Sequence, residues 1–247
     1  MAKISIDIEY IKNSLSSIGY EISDCIQREN HGINWQLKFS NSGAIVTVYD
    51  SNNTKNTVVN GKPDDEERNK LKIMVDKLKS KELVIDSLNN EIINLIRSRQ
   101  EKAYYDFKQI PHKDNESLLH DILSLSNNTE NSDAYLILGV TDNYDVIGVD
   151  EEWNSNNIFD FLRSQSFAGG HIPNIEIKEL FYKCKRIVVI KCVSSKYVPF
   201  YLTKRYKGLP ENNIYTRIGD TNTPKNETAN YNDVEKLWRI HFERENE

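Results

Sequence analysis

Three carboxylates and a lysine in the C-terminal half of the chain have the types and positions needed for phosphate chemistry. Glu101 precedes a strand-like stretch, AYYDFKQI, that contains Asp106 and Lys108. Asp142 follows the most apolar stretch, DAYLILGV, in a turn. Carboxylates at the carboxyl edge of an α/β sheet face the usual ligand cleft, and converging carboxylates repel one another unless they bind a cation. Glu101, Asp106 and Asp142 therefore form a candidate Mg²⁺ or Mn²⁺ site for activating water against a phosphodiester.

Spacing alone does not distinguish this site from three solvated acids at the ends of secondary-structure elements. Lys108 follows Asp106 by two residues, so on a strand the two side chains share a face. There the lysine either contacts phosphate or lies in solvent. Arg217 follows Tyr215 by two residues in IYTRIG. An arginine beside an aromatic ring suits contact with phosphate or a base, and equally a structural role.

A basic stretch supplies a second candidate feature in a protein whose net charge is −5. Residues 181–210 contain no Asp or Glu, and Tyr and Phe residues lie between their cations. This composition is typical of a surface for RNA or single-stranded nucleic acid. Of the histidines, His112, His120 and His171 are candidates by type, and His171, in a Gly-Gly loop, is the best placed for substrate contact. The predicted nucleic-acid contacts are Lys185, Arg186, Lys204, Arg205, Lys207, Tyr215, Arg217 and His171.

The first 62 residues predict a small α+β domain. Residues 4–18 place apolar side chains at helical spacing. Three stretches that alternate apolar and polar residues follow, NWQLKFSN, AIVTVYDS and NTVVNG, and Asn, Ser and Gly separate them. We expect a helix followed by a curved antiparallel sheet.

Residues 63–100 predict one long connecting helix. Pro63 and the acids after it suit a first helical turn. From there to about Arg99 no Gly or Pro interrupts a heptad-like seam that includes Leu71, Leu78 and Ile92. Such a helix either forms a homodimer through residues 64–99 or lies across a neighbouring domain.

Residues 101–247 predict a mixed α/β domain. Strands are expected at AYYDFKQI, DAYLILGV, YDVIGV, IEIKELFY and RIVVIKCV, with a hairpin through YLTK and IYTRIG. Helices are expected at 116–126, near 158–165 and at 233–244.

Composition restricts the class of protein. The hydrophobic fraction of 38% and the charged fraction of 28% are typical of a globular protein. No apolar run approaches the roughly 18 residues of a membrane-spanning helix, and the acidic N-terminus does not resemble a signal peptide. The three cysteines lack ligand-like spacing, so neither a disulfide framework nor a zinc site is indicated. We expect a cytoplasmic protein with no membrane partner.

Four motifs in order resemble the Schlafen AlbA-type domain family over roughly residues 97–242. They are Glu101 with Asp106-Phe107-Lys108, the helix end at 123–127, the strand and turn at 137–142, and the Tyr-x-Arg-x-Gly at 215–219. In nuclease members of that family three acids form the cleavage site. The resemblance assigns this role to Glu101, Asp106 and Asp142.

Two substitutions depart from the family pattern. Asp106 replaces the usual Glu and shortens the side chain by one methylene. Thr141 replaces the first acid of an Asp-Asp pair and leaves Asp142 alone. Many relatives are described only as DNA-binding or ATP-binding, so the resemblance implies the fold more firmly than it implies catalysis.

Residues 4–80 are similar to the TBP-like domain at the front of type-three ribonuclease H enzymes. That resemblance implies a curved sheet that binds nucleic acid or a partner protein. Trp35 and Lys38 are candidates for its surface, although Trp35 suits a core position equally.

These observations lead to one hypothesis and its rivals. The predicted fold is α+β or mixed α/β, with an N-terminal helix and sheet, a connecting helix and a Schlafen AlbA-like mixed sheet with flanking helices. The leading function is a metal-dependent endonuclease, on RNA (tRNA or rRNA) more than DNA, in a bacterial or phage defence or toxin context. The alternatives are a non-catalytic nucleic-acid-binding or regulatory module and a nucleotide-sensing adaptor.

Overall fold

The fold comes from a computed structural model of the chain, which describes residues 8–29, 33–51, 54–83, 85–150 and 156–243. Its contacts divide the chain into two units. Unit 1 is residues 1–98 with 181–185, and unit 2 is residues 99–180 and 186–247. Both units combine helices with sheets, which confirms the predicted mixed class. Among the described residues, no helix is both long enough and apolar enough to cross a membrane.

Unit 1 packs helices on a four-stranded antiparallel sheet. Helix α1 (Ile8–Ser17) precedes strands β1 (Ile22–Arg28), β2 (Asn34–Phe39), β3 (Ser42–Ser51) and β4 (Thr54–Asn60), which pair in chain order. Alternating residues of the central strands, such as Leu37 and Val46, are fully buried against Leu15 of the helix layer. The predicted helix and antiparallel sheet are confirmed. Strand β1 was missed because its exposure does not alternate.

The segment after this sheet forms two helices, α2 (Glu66–Ser80) and α3 (Ser87–Ser98), which corrects the prediction of one long helix. Helix α2 ends at Lys81, whose φ of 62° is left-handed. Helix α3 begins with a reciprocal cap, because Asp86 and Asn89 each accept the other's backbone N–H at 3.2 Å. Leu71, Met74 and Leu78 of the predicted seam lie in the core of unit 1. The described residues therefore contain no continuous seam for a homodimer.

Unit 2 is built on a four-stranded mixed sheet in the order β5-β6-β8-β7. The strands are β5 (Tyr105–Lys108), β6 (Ala134–Leu138), β7 (Ile175–Tyr182) and β8 (Lys185–Cys192). Strand β5 is parallel to β6, which is antiparallel to β8. A crossover through helix α4 (Asn115–Ser126) connects the parallel pair, and α4 packs against β6 with every residue from Leu118 to Ser126 buried. The site residues lie around this crossover.

The remaining elements of unit 2 are shorter. They are helix α5 (Asn156–Arg163), a 3₁₀ turn (Ala168–Gly170), a two-stranded hairpin of β9 (Arg217–Ile218) and β10 (Thr221–Asn222), and helix α6 (Tyr231–Glu243). The predicted strand in YDVIGV is reduced to a single bridge between Val140 and Val146. The predicted pairing of YLTK with IYTRIG is likewise one bridge, between Tyr201 and Ile214. In both cases the pattern was right for an extended chain, but partner strands continue for only one residue pair.

Candidate functional site

Strand β5 carries the first part of the site. Asp106 and Lys108 share a face of the strand, as predicted, and the Lys108 ammonium lies 2.5 Å from Asp106 Oδ2. The contact is an ion pair rather than an aligned hydrogen bond. Glu101 reaches back to the same strand, because its Oε1 accepts the backbone N–H of Phe107 at 3.2 Å. Asp106 is only 2% exposed, so its charge must be compensated by the protein.

Arg217 on β9 provides that compensation. Its Nη2 lies 2.6 Å from Glu101 Oε2 and 3.1 Å from Asp106 Oδ1, and its Nε donates to the Lys102 carbonyl. The arginine side chain is 2% exposed. The structure thus corrects the prediction that Arg217 contacts nucleic acid, because the buried guanidinium is hydrogen-bonded to two carboxylates of its own chain.

Asp121, on α4, completes a ring of side chains that the sequence did not predict. Asn222 joins Arg217 to Asp121, since it accepts from Arg217 Nη1 at 3.0 Å and donates to Asp121 Oδ1 at 2.7 Å. The ring closes through Lys108, whose Nζ is 3.8 Å from Asp121 Oδ2. Together with Glu101 and Asp106, these residues form what we call the charge cluster.

His112 joins the charge cluster from the loop before α4. Its Nε2 lies 2.7 Å from Asp121 Oδ2, and the side chain is 14% exposed. Of the three histidines considered from sequence, His120 instead hydrogen-bonds the Thr223 carbonyl at 2.8 Å and packs against Tyr215. Its pKa is lowered by burial, which suits a neutral core histidine.

The acids of the charge cluster differ in the direction in which their pKa values are shifted. Burial raises the pKa of Asp106, although Lys108 and Arg217 oppose that shift, and burial with the charge of Asp106 raises the pKa of Glu101. Burial would also raise the pKa of Asp121, but the hydrogen bond with His112 and the charge of Lys108 lower it overall. Burial lowers the pKa of Lys108, yet Asp121 and Asp106 raise it overall. The cluster therefore contains an ionised Asp121 beside two carboxyls that hold protons more readily.

Asp142, the third predicted ligand, forms no hydrogen bond or ion pair with this cluster among the described residues. It is exposed in the turn after β6 and makes no ion pair with any described residue. The turn is fixed by its neighbours, because Arg99 donates to the Asn143 carbonyl at 2.7 Å and Tyr144 packs edge-on against Phe107. Of the predicted trio, only Glu101 and Asp106 share a partner among the described residues, which is Arg217.

The residues present do not fit a divalent cation. Both oxygens of Asp106 face protein cations, and those of Glu101 face Arg217 and a backbone N–H. Within the part of the chain that the structure describes, no group of three or more His, Cys, Asp or Glu side chains is arranged to hold a metal. The predicted Mg²⁺ or Mn²⁺ has no preformed site there, and metal dependence stays a prediction.

A buried asparagine explains how β9 reaches the cluster. Asn127, at the end of α4, donates to the carbonyls of Phe200 and Tyr215 at 2.8 and 2.9 Å and accepts from the Phe200 N–H at 2.6 Å. This fixes the chain just before Arg217. Tyr215 itself is 1% exposed and donates its hydroxyl to the Lys225 carbonyl. The prediction that Tyr215 contacts nucleic acid is therefore corrected to a core role.

The predicted basic residues separate into two groups. Arg186 lies 2.5 Å from Glu179 and donates to the Asp150 carbonyl, which corrects its prediction as a nucleic-acid contact. Lys185 is exposed but belongs to unit 1. In contrast Lys204, Arg205 and Lys207 are all exposed in unit 2, and none has an acidic partner among the described residues. We call residues 204–207 the basic loop.

Aromatic side chains accompany these cations. In the basic loop, Lys207 lies over the Tyr206 ring at 5.6 Å. Elsewhere in unit 2, His171 stacks on Tyr197 with ring centroids 3.8 Å apart and an interplanar angle of 12°, and both residues are exposed. The loop of His171 is hydrogen-bonded to the start of the basic loop, because the Thr203 N–H donates to the Ser166 carbonyl. His171 is thus placed where sequence predicted it, with a partner that sequence did not identify.

A family model described as Schlafen, AlbA_2 matches residues 101–226. The chain belongs to this family. Schlafen AlbA_2 domains are nucleic-acid-binding or nuclease-like, and unit 2 is therefore a domain of that class. The matched segment runs from Glu101 past Asn222 and so contains the whole charge cluster and the basic loop. No curated protein matches the chain.

Two solved structures are similar to this Schlafen AlbA_2 chain. The N-terminal domain of a RecG-related protein from Nitrosomonas europaea is 17% identical, and the match covers 54% of this chain and 90% of that one with a TM-score of 0.36. The DIP2311 protein from Corynebacterium diphtheriae is 19% identical, covering 49% and 22% with a TM-score of 0.29.

Proposed function

We propose that unit 2 binds single-stranded nucleic acid, RNA in preference to DNA, and that the basic loop is its phosphate-binding element. The observation that carries this proposal is the exposure of Lys204, Arg205 and Lys207 without acidic partners among the described residues. Free exposed cations gain affinity for a polyanion by releasing its counterions. The cations of the charge cluster cannot do so, because carboxylates of the same chain already neutralise them.

The stacked pair of His171 and Tyr197 supports an unpaired strand rather than a duplex. Exposed rings stack on splayed bases, and every base offers a face for this contact. Lys196 lies 5.4 Å over the Tyr197 ring and adds a cation at the same place. Base stacking and phosphate contacts are thereby supplied by neighbouring loops of one unit.

A binding measurement with matched variants tests the proposal. Fluorescence anisotropy compares a labelled single-stranded RNA, a DNA of the same sequence and an RNA duplex. Removing Lys204, Arg205 and Lys207 together should weaken RNA binding by roughly 10- to 100-fold. The slope of log affinity against log salt should decrease by about two. Tyr197→Ala should weaken single-strand binding by about tenfold.

A charge-matched control separates the basic loop from net charge. Arg163, Lys236 and Arg239 are exposed cations of unit 2 that each pair with an acid on their own helix. Their triple alanine variant loses the same charge and should keep most of the affinity. Equal losses in the two triple variants would show that the basic loop has no special role.

Phosphodiester cleavage is the second candidate function. It is favoured by the two carboxyls of raised pKa, Glu101 and Asp106, next to the partly exposed Lys108, because perturbed acids concentrate at functional sites. Incubating the same RNA with Mn²⁺, with Mg²⁺ or with EDTA tests for cleavage and metal dependence together. An Asp142→Ala variant tests the predicted ligand that lies outside the cluster.

A further inference from the structure

His112 and Asp121 form a dyad at the edge of the charge cluster. His112 Nε2 is bonded to Asp121 at 2.7 Å, and Asp121 is 5% exposed. The other ring nitrogen, Nδ1, makes no hydrogen bond with any described residue. An ionised carboxylate on one ring nitrogen fixes the proton there and leaves the other nitrogen as an acceptor. The low pKa of Asp121 keeps this arrangement in place.

A cation accompanies the dyad. Lys108 and His112 both contact the same oxygen of Asp121, at 3.8 and 2.7 Å, so the ammonium and the imidazole are close neighbours. The Lys108 side chain is 32% exposed and that of His112 is 14% exposed, whereas Asp106, Asp121 and Arg217 are almost fully buried. The more exposed side chains of the cluster are thus Lys108, Glu101 (19% exposed) and His112, and of these only the His112 ring carries a nitrogen without a hydrogen bond to any described residue.

The basic loop borders the same helix. Gly208, which follows Lys207, donates its N–H to Glu116 in the first turn of α4. His112 precedes α4 by three residues, and Asp121 lies within it. The end of the basic loop therefore borders the first turn of the helix that carries Asp121.

We propose that His112, positioned by Asp121, is the general base of a metal-independent RNA transesterification in unit 2. The inference rests on the proposed function, because RNA must first bind at the basic loop. Nδ1 takes the proton of a ribose 2′-hydroxyl, and the 2′ oxygen forms a bond to the adjacent phosphorus. The bond from phosphorus to the 5′ oxygen breaks, and that oxygen takes a proton from water. The hydroxide so formed removes the proton from Nδ1 and restores the neutral imidazole. Lys108 stabilises the charge on the phosphoryl oxygens.

The substrate class follows from this chemistry. The nucleophile belongs to the RNA itself, so DNA lacks it, and the products are a 2′,3′-cyclic phosphate and a 5′-hydroxyl. A site of this kind needs no vacant carboxylates for a metal, which agrees with the pairing of Glu101 and Asp106 with Arg217 and Lys108.

The test uses the full chain, EDTA and a single-stranded RNA, beside an identical RNA with one 2′-deoxy residue at the cleavage position. Cleavage to a 2′,3′-cyclic phosphate is expected, with none at the deoxy position. His112→Ala should lower the rate by about 100-fold or more without weakening RNA binding. Added imidazole should restore part of its rate, which a purely structural histidine would not show.

Controls keep folding and binding separate from catalysis. Ile110→Ala alters an exposed residue of the same loop and should cleave as the wild type does. Asp121→Asn should lose rate with its melting temperature recorded in parallel, and His112→Gln serves if the alanine variant unfolds. RNA that is bound but not cleaved in EDTA, or cleaved equally by the folded His112 variants, overturns this proposal and leaves the binding proposal standing. Failure to bind RNA overturns both.

Discussion

The charge cluster and the basic loop of unit 2 use charge in opposite ways. In the cluster, Lys108 and Arg217 meet three carboxylates, of which Asp106 and Asp121 are buried. In the basic loop, Lys204, Arg205 and Lys207 meet solvent and no acid of the described chain. Removing one partner of a buried pair leaves an uncompensated charge, whereas an exposed cation is well solvated with or without a partner. Stability should therefore depend on the cluster, and affinity for polyanions on the loop.

The largest expected effect comes from Arg217→Met. It leaves Asp106 and Glu101 without their shared cation and should lower the free energy of unfolding by about 3–5 kcal/mol. Arg205→Met removes an equal charge from the basic loop and should change it by about 0.5 kcal/mol or less. Urea denaturation measures both variants. Similar losses in the two would contradict the contrast between the regions.

Asn222→Leu should have the next largest effect. It removes a hydrogen bond from both Arg217 and Asp121, at a cost of about 1–3 kcal/mol in unfolding free energy. Asn226 lies four residues later in the chain and is exposed, so Asn226→Leu is the matched control. Equal stability of the two variants would contradict a stabilising role for the hydrogen bonds of Asn222.

The two buried aspartates should shift stability with pH in opposite directions. The pKa of Asp106 is raised, so its contribution is complete below the ordinary value of 3.8 and is lost as pH rises through its higher folded value. The pKa of Asp121 is lowered, so its contribution is present above 3.8 and is lost as pH falls through its folded value. Melting temperatures of Asp106→Asn and Asp121→Asn, each compared with wild type across the acid range, should diverge accordingly. Parallel curves would refute this assignment.

The smallest effect on stability should come from Lys204→Ala, within about 0.5 kcal/mol. Its effect on RNA binding should still be measurable, as a decrease of about 0.7 in the slope of log affinity against log salt. Thermal unfolding and anisotropy at several salt concentrations test both halves of the statement. An unchanged slope would remove Lys204 from the phosphate contacts.

Local pattern was enough for part of the site. The two-residue spacing of Asp106 and Lys108 fixed their common face. The family motifs included both Glu101 and Arg217, whose side chains are hydrogen-bonded to each other at 2.6 Å. The sequence pattern did not distinguish a buried cation from an exposed one. Arg217 and Lys204 are both basic residues near aromatics, yet one is 2% exposed in its side chain and the other lies in solvent.

The long helix predicted for residues 63–100 shows a similar limit. Heptad spacing continued through the segment, but Lys81 adopts a left-handed backbone and Leu83 is buried after it. Packing of α2 against the sheet of unit 1 outweighed a helix propensity that no Gly or Pro interrupted. The spacing identified the buried residues and not the end of the helix.

The sequence by itself determined the mixed fold class, the family and the common strand face of Asp106 and Lys108, because strand periodicity and ordered motifs are local properties. Only the tertiary structure showed that Asp121, Asn222 and His112 contact the charge cluster. Arg217 meets Glu101 across 116 residues, and Asn222 meets Asp121 across 101. Such contacts depend on how α4 and β9 pack against the sheet, and burial then determines which charges must be neutralised within the protein.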